Sequence, residues 1–172
     1  MDAATEIFEC ILLVEDDPCD ADLILATLDE HRLAGKVVVV QDGEKALDYL
    51  YCRGDFTTRT RGNPVLVLLD LKLPKVDGLD VLKSIKADEC LKTIPVVVLS
   101  AWNETPDLTE CYRRGANACV AKPVNVAAFR KAVAQLAVVW AVFNEPPPTI
   151  LKDEADPQNG RSTVSSKVES RK

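Results

Sequence analysis

The chain has one histidine, His31, no Cys-x-x-Cys pair among its six cysteines, and neither GxxxxGK[ST] nor GxGxxG. With no cluster of His and Cys there is no tetrahedral N/S ligand set, which argues against a zinc site. The thiols, Cys10, Cys19, Cys52, Cys90, Cys111 and Cys119, are scattered in a way that fits a reducing compartment. The missing glycine-rich loops argue against nucleotide binding. Basic residues are also in deficit, 21 Lys and Arg against 27 Asp and Glu for a net charge of −6, so neither nucleic acid nor an anionic membrane is an expected partner. Met1 to Glu9 carries three acids and no base, unlike a secretory signal, and no apolar run reaches the ~20 residues of a membrane span. The expectation is a soluble, cytoplasmic protein whose 172 residues make one domain and a tail.

What the chain does have is short apolar runs that end in charge. Val65 to Leu69 is uninterrupted and stops at Asp70; Cys10 to Val14 stops at Glu15-Asp16-Asp17-Pro18. Runs of this kind read as strands buried on both faces, as in parallel sheets. Val37 to Val40, Ile94 to Ser100 and Ala118 to Ala121 complete a set of five. Between them lie helical patterns: Ala21, Ile24, Leu25 and Leu28 at i, i+3, i+4, i+7, with a stop expected near Leu33-Ala34-Gly35, then stretches around Ala46 to Tyr51, Val81 to Glu89, Thr105 to Arg114 and Asn125 to Phe143. Alternation of this kind calls for an α/β fold, a five-stranded parallel sheet doubly wound by helices. Arg53 to Asn63 is a polar stretch with Arg53, Arg59 and Arg61, longer than the usual connection of roughly 2–6 residues; the arginines read as solvated, with docking to an acidic surface as the alternative. From Asn144 to Lys172 there are four prolines, five acids, five bases and only five aliphatic residues, the composition of a disordered tail, so the domain is taken as 1–143 and the tail as 144–172.

The strand ends bring Asp16 and Asp17, Asp70, Ser100 and Lys122 to one edge of the sheet, where open α/β sheets place their chemistry. Carboxylates packed together repel unless a cation sits among them, and a hard divalent ion such as Mg²⁺ suits such a group. Lysine and a hydroxyl beside them suit phosphoryl oxygens. A carboxylate so surrounded is equipped to accept phosphate covalently.

These residues resemble the receiver domain of two-component response regulators: the acids at 15–17, Asp70 followed by Leu71-x-x-Pro74-x-x-Asp77-Gly78, Ser100 thirty residues on and Lys122-Pro123 twenty-two beyond. The resemblance covers about residues 8 to 143 and implies a flavodoxin-like strand order, 2-1-3-4-5. The arginine-bearing insertion and the ending Val139 to Pro146 are similar to the stand-alone regulators paired with bacterial phytochromes, red-light-sensing histidine kinases. The resemblance implies that Asp70 takes a phosphoryl group from a phosphohistidine, that Asp17, Asp70 and the Lys72 carbonyl hold Mg²⁺ with Asp16 acting through water, that Ser100 and Lys122 move onto the phosphoryl oxygens, and that the Lys122-Pro123 bond is cis. Such a protein is no enzyme in the ordinary sense, though it catalyses its own phosphotransfer and dephosphorylation.

Three positions depart from the family pattern. Cys119 stands where the family carries the Tyr or Phe of an aromatic switch and reads as a small buried residue; Trp102, two past Ser100, is the alternative responder. Lys72 adds a positive charge two residues after the acceptor. Separately, eleven of the twelve residues from Ala132 to Phe143 are hydrophobic, so the last helix, including Trp140 and Phe143, is apolar all round and calls for a partner, most simply a second copy of the chain. One rival, a phosphohydrolase similar to the haloacid dehalogenases, needs an acid two residues after its nucleophile, where this chain has Lys72. A degenerate receiver acting only as a binding module is the other.

Overall fold

The computed structural model describes residues 10–59, 62–101, 105–122 and 125–145. Five strands, β1 (Ile11–Val14), β2 (Val37–Val40), β3 (Leu66–Asp70), β4 (Val96–Ala101) and β5 (Ala118–Lys122), form one parallel sheet in the order 2-1-3-4-5. The helices are α1 (Pro18–Asp29), α2 (Gly43–Leu50), α3 (Gly78–Ala87), α4 (Thr105–Arg113) and α5 (Val126–Val138), the last continued by a π-helical turn over Val139–Phe143. The expected doubly wound fold is therefore present, with strand limits within two residues of those read from the sequence.

Because successive strand side chains point to opposite faces, each apolar run feeds two cores. Leu12, Val14, Val67, Leu69, Val96 and Val98 meet Ala46, Leu50, Val81, Leu82 and Ile85 on one face. Ile11, Leu13, Leu66, Leu68, Val97 and Leu99 meet Ile24, Leu28, Phe129 and Val133 on the other. Residues such as Leu12, Leu68 and Leu82 are completely buried, each worth roughly 1.5–3 kcal/mol of transfer free energy. This double seal makes the strands rigid mounts for the polar residues at their carboxyl ends.

Two features differ from the sequence reading. Helix α1 ends at Asp29, before Leu33: Arg32 adopts φ 61° and a 3-10 turn at Ala34–Lys36 leads into β2. In the Arg53–Asn63 stretch Arg53 is exposed as expected, whereas Phe56 and Arg59 clip the chain onto Tyr49. A 3-10 turn at Gly54–Phe56 sets Phe56 edge-on to Tyr49 with 5.2 Å between ring centroids. Arg59 lies 4.2 Å over the same ring, with Nε donating to the Tyr49 carbonyl at 2.7 Å. Beneath, the Cys10 Sγ and the Tyr49 hydroxyl are 3.1 Å apart. Arg61, Trp102, Pro123 and the tail from Pro146 lie outside the described residues, so the expectations for them, including the cis bond, do too.

By length and composition Val126–Phe143 would pass for a membrane span, with a mean hydropathy of 1.6 over 18 residues. Phe129, Val133, Ala134 and Ala137 are instead buried, and α5 packs on α1, where Arg130 pairs with Glu30 and its Nε donates to Thr27 Oγ1 at 3.2 Å. At ~1.5 Å per residue the segment also falls short of a ~30 Å hydrocarbon core.

Candidate functional site

At the carboxyl edge of the sheet, Asp70 closes β3 with both oxygens engaged. Its Oδ1 accepts from the Lys72 amide at 3.2 Å and its Oδ2 from Lys122 Nζ at 2.5 Å. Strand register supplies the rest: Asp70 is level with Leu99, Ser100 is one residue further out, and Ala101 is level with Lys122. Gly78 brings the loop back against the strand end. A β-carbon at that position would stand 2.2 Å from the Asp70 carbonyl oxygen, so only glycine allows α3 to start there. The Gly78 amide donates to the Leu71 carbonyl at 2.9 Å, and Asp77 caps the helix through Leu79. On the other side of this loop Lys75, at φ 65°, bridges Asp42 at 3.0 Å and Glu44 at 2.9 Å on α2.

The acids of the first strand divide their work differently from the expectation. Asp17 is the N-cap of α1: its Oδ1 accepts from the amides of Cys19 and Asp20 at 2.7 and 3.3 Å. It stands outside the carboxylate group, which consists of Glu15, Asp16 and Asp70 with oxygens all within 4.8 Å of one another. Of the expected trio of Asp16, Asp17 and Asp70, the structure brings Asp16 and Asp70 together and leaves Asp17 at the helix cap. Pro18 at the first helical position carries the reason, since the residue before it takes extended backbone and becomes the cap. Glu15 continues β1, its amide donating to the Val40 carbonyl at 3.0 Å, and its side chain is fully buried.

Lys122, closing β5, gathers the charges. Besides Asp70 it lies 2.7 Å from Glu15 Oε2 and 3.0 Å from Asp20 Oδ2. Asp20, from the first turn of α1, was not marked by any sequence signal. Burial alone would lower the Lys122 ammonium, but hydrogen bonds to Asp70 and Glu15 hold it above its usual value. Glu15 shows the opposite balance. Its burial, aided by the Asp70 charge, pushes its carboxyl up to about 7 despite Lys122. One ammonium does not compensate this many carboxylates, so the site stores unfavourable charge that an added cation relieves.

Ser100 is half-buried at the end of β4. Cys119 is also half-buried, against the α2–α3–α4 core that holds Cys111; burial pushes its thiol up while hydrogen bonds with Tyr112 and Cys111 work against the shift. Trp140 packs half-buried on the opposite core, and Phe143 is 75% exposed.

Residues 11–134 match the response regulator receiver domain family. The chain is 38% identical over 137 residues to a probable methanogenesis regulatory protein, FilR2, of Methanothrix harundinacea, covering 80% of this chain and 86% of that one. It is 35% identical to the response regulator Rcp1 of Synechocystis, over 76% of this chain and 87% of the relative. Among solved structures it is similar to the phosphorylated cyanobacterial phytochrome response regulator RcpA (TM-score 0.73, 37% identity, 81% of this chain and 98% of that one). It is similar also to the bacteriophytochrome response regulator RtBRR (TM-score 0.67, 50% identity, 81% and 84%) and to the Mn²⁺-bound form of Rcp1 (TM-score 0.71, 33% identity, 81% and 99%). With that match over most of the fold, and with an acid, a lysine and a carboxylate group on one sheet edge, the chain belongs to the response regulator receiver family, a family of signalling proteins.

Proposed function

We propose that this protein is a single-receiver response regulator, with its receiver at 1–143, that takes a phosphoryl group onto Asp70 from a sensor histidine kinase of phytochrome type and signals through protein contacts in the cytoplasm. The observation that carries the reading is Lys122 Nζ at 2.5 Å from Asp70 Oδ2 inside a group of further carboxylates. An Asp70 oxygen attacks the phosphorus, the phosphorus–nitrogen bond of phosphohistidine breaks, and the electron pair leaves on the imidazole. Lys122 turns from the carboxylates to the phosphoryl oxygens, and the Ser100 hydroxyl donates to another of them. Dephosphorylation reverses the charge build-up: water attacks the phosphorus, the phosphorus–oxygen bond to Asp70 breaks, and inorganic phosphate leaves with the Asp70 carboxylate restored.

The donor set suits Mg²⁺: hard carboxylate oxygens converge, and burial together with the neighbouring Asp70 charge drives Glu15 toward protonation. Asp16 and Asp70 would hold the ion beside Glu15, with the Lys72 carbonyl as a further oxygen. When bound, it supplies positive charge facing the phosphoryl oxygens. Incubation with Mg²⁺ and acetyl phosphate should add one phosphoryl group to the intact mass, and Asp70→Asn should add none. No gain in the unaltered protein would favour the reading as a binding module. Trp102 is proposed as the responder in place of the family's aromatic, with its fluorescence changing on addition of beryllofluoride and Mg²⁺.

A homodimer through the end of α5 belongs to the same reading. Val139, Val142 and Phe143 are 49%, 59% and 75% exposed, an apolar patch at one end of the domain. Sedimentation should report a dimer at micromolar concentration and a monomer for Phe143→Ser.

A further inference from the structure

Among the described residues three carboxylates surround Lys122, and they differ in their freedom to leave it. Glu15 and Asp70 extend from central strands, with side chains 0% and 9% exposed. Asp20 comes from the first turn of α1 and is 35% exposed, open to water on one side. Its position is set by Asp17, whose cap accepts from the Asp20 amide, and the N-terminal turn of a helix favours an acid there. Of the three, only Asp20 is both in ion-pair range of the lysine and free to swing into solvent.

We propose that Asp20 is a positioning residue that latches Lys122 in the unphosphorylated site and has to release it before the phosphoryl group can be held. A phosphoryl dianion on Asp70 needs the ammonium facing it. The Asp20 charge competes for that ammonium beforehand and repels the dianion afterwards. The residue therefore biases the domain toward its resting state and lowers its response to small anionic phosphodonors. This inference rests on the reading of Asp70 as phosphoryl acceptor.

Two measurements test it. In the metal-free protein, Asp20→Asn should raise the rate at which an amine-acylating reagent modifies Lys122, read from the mass of its peptide, while Asp20→Glu, which keeps the charge, should stay near the unaltered rate. An unchanged rate in Asp20→Asn overturns the latch, whatever the phosphorylation result. At saturating Mg²⁺, calorimetric titration with beryllofluoride should give Asp20→Asn about threefold to fivefold tighter binding, as befits loss of a partly exposed ion pair, shrinking at high salt. Faster acylation with unchanged or weaker beryllofluoride binding overturns the role in switching. Failure of the unaltered protein to bind beryllofluoride at all overturns the acceptor reading and the switching role together, and leaves the acylation result to decide the latch.

Discussion

Each end of the sheet holds a half-buried lysine, and the two are built on opposite principles. At the carboxyl edge Lys122 faces Glu15, Asp20 and Asp70. At the amino edge Lys86 donates to the carbonyls of Lys92 and Ile94 at 3.2 and 2.7 Å and to Asn117 Oδ1 at 3.1 Å, all neutral. Asn117 in turn accepts from the Val96 amide at 2.9 Å, so the ammonium closes the entrance to β4 and β5. Burial holds Lys86 below its ordinary value, whereas the carboxylates hold Lys122 above it. Neutral dipoles fix a lysine without storing charge and give it nothing to exchange. Opposed charges store energy, and a newly arrived anion can redistribute them. The difference separates a structural plug from the lysine proposed to switch.

The largest test of this contrast is on reactivity. Lys122→Met should slow phosphoryl gain from acetyl phosphate by about a hundredfold, the scale of losing one aimed donor, while Lys86→Met leaves the rate within about twofold. Intact-mass time courses on both variants decide it. Next is the mount beneath the acceptor: Gly78→Ala places a carbon against the Asp70 and Leu71 backbone and should cost about 3 kcal/mol in urea unfolding, within the range of overpacked sites. An unperturbed midpoint would mean that the loop can yield.

The stored charge itself comes third. Glu15 titrates near 7 in the folded protein against 4.5 for an ordinary Glu, so its raised value contributes stability that is full below 4.5 and lost as pH rises toward 7. The metal-free protein should lose on the order of 2 kcal/mol between pH 5 and 8 from this group. Glu15→Gln should flatten that slope, and Mg²⁺ should restore stability to the unaltered protein at pH 8. An identical pH slope in the variant would assign the loss elsewhere. The smallest effect belongs to the plug: Lys86→Met strands carbonyl acceptors and should cost roughly 1–2 kcal/mol, with no response to Mg²⁺.

Much of this was legible in the chain. Five apolar runs, each cut off by a polar residue, specify buried parallel strands, and the spacing of Asp70, Ser100 and Lys122 aligns them on one edge. The distinction among Glu15, Asp16 and Asp17 was harder to read, although Pro18 held the clue, because a proline at the first helical position makes its predecessor the cap. Arg59 likewise read as a solvated charge, since nothing in a polar stretch announces that it will lie over Tyr49. Asp20 carried no local mark at all.

Hydrophobic period and strand-ending charges are local properties, repeated along the chain, and by themselves they determine the doubly wound fold and the edge where the charged residues gather. Which acids meet a given ammonium depends on short distances between residues far apart in the chain, such as the 3.0 Å between Lys122 and Asp20. Coulomb energy falls off with distance and burial amplifies it, so a charge becomes a ligand or a latch only once packing has set its neighbours. Tertiary structure alone made Glu15 a buried partner and Asp20 the carboxylate free to let go.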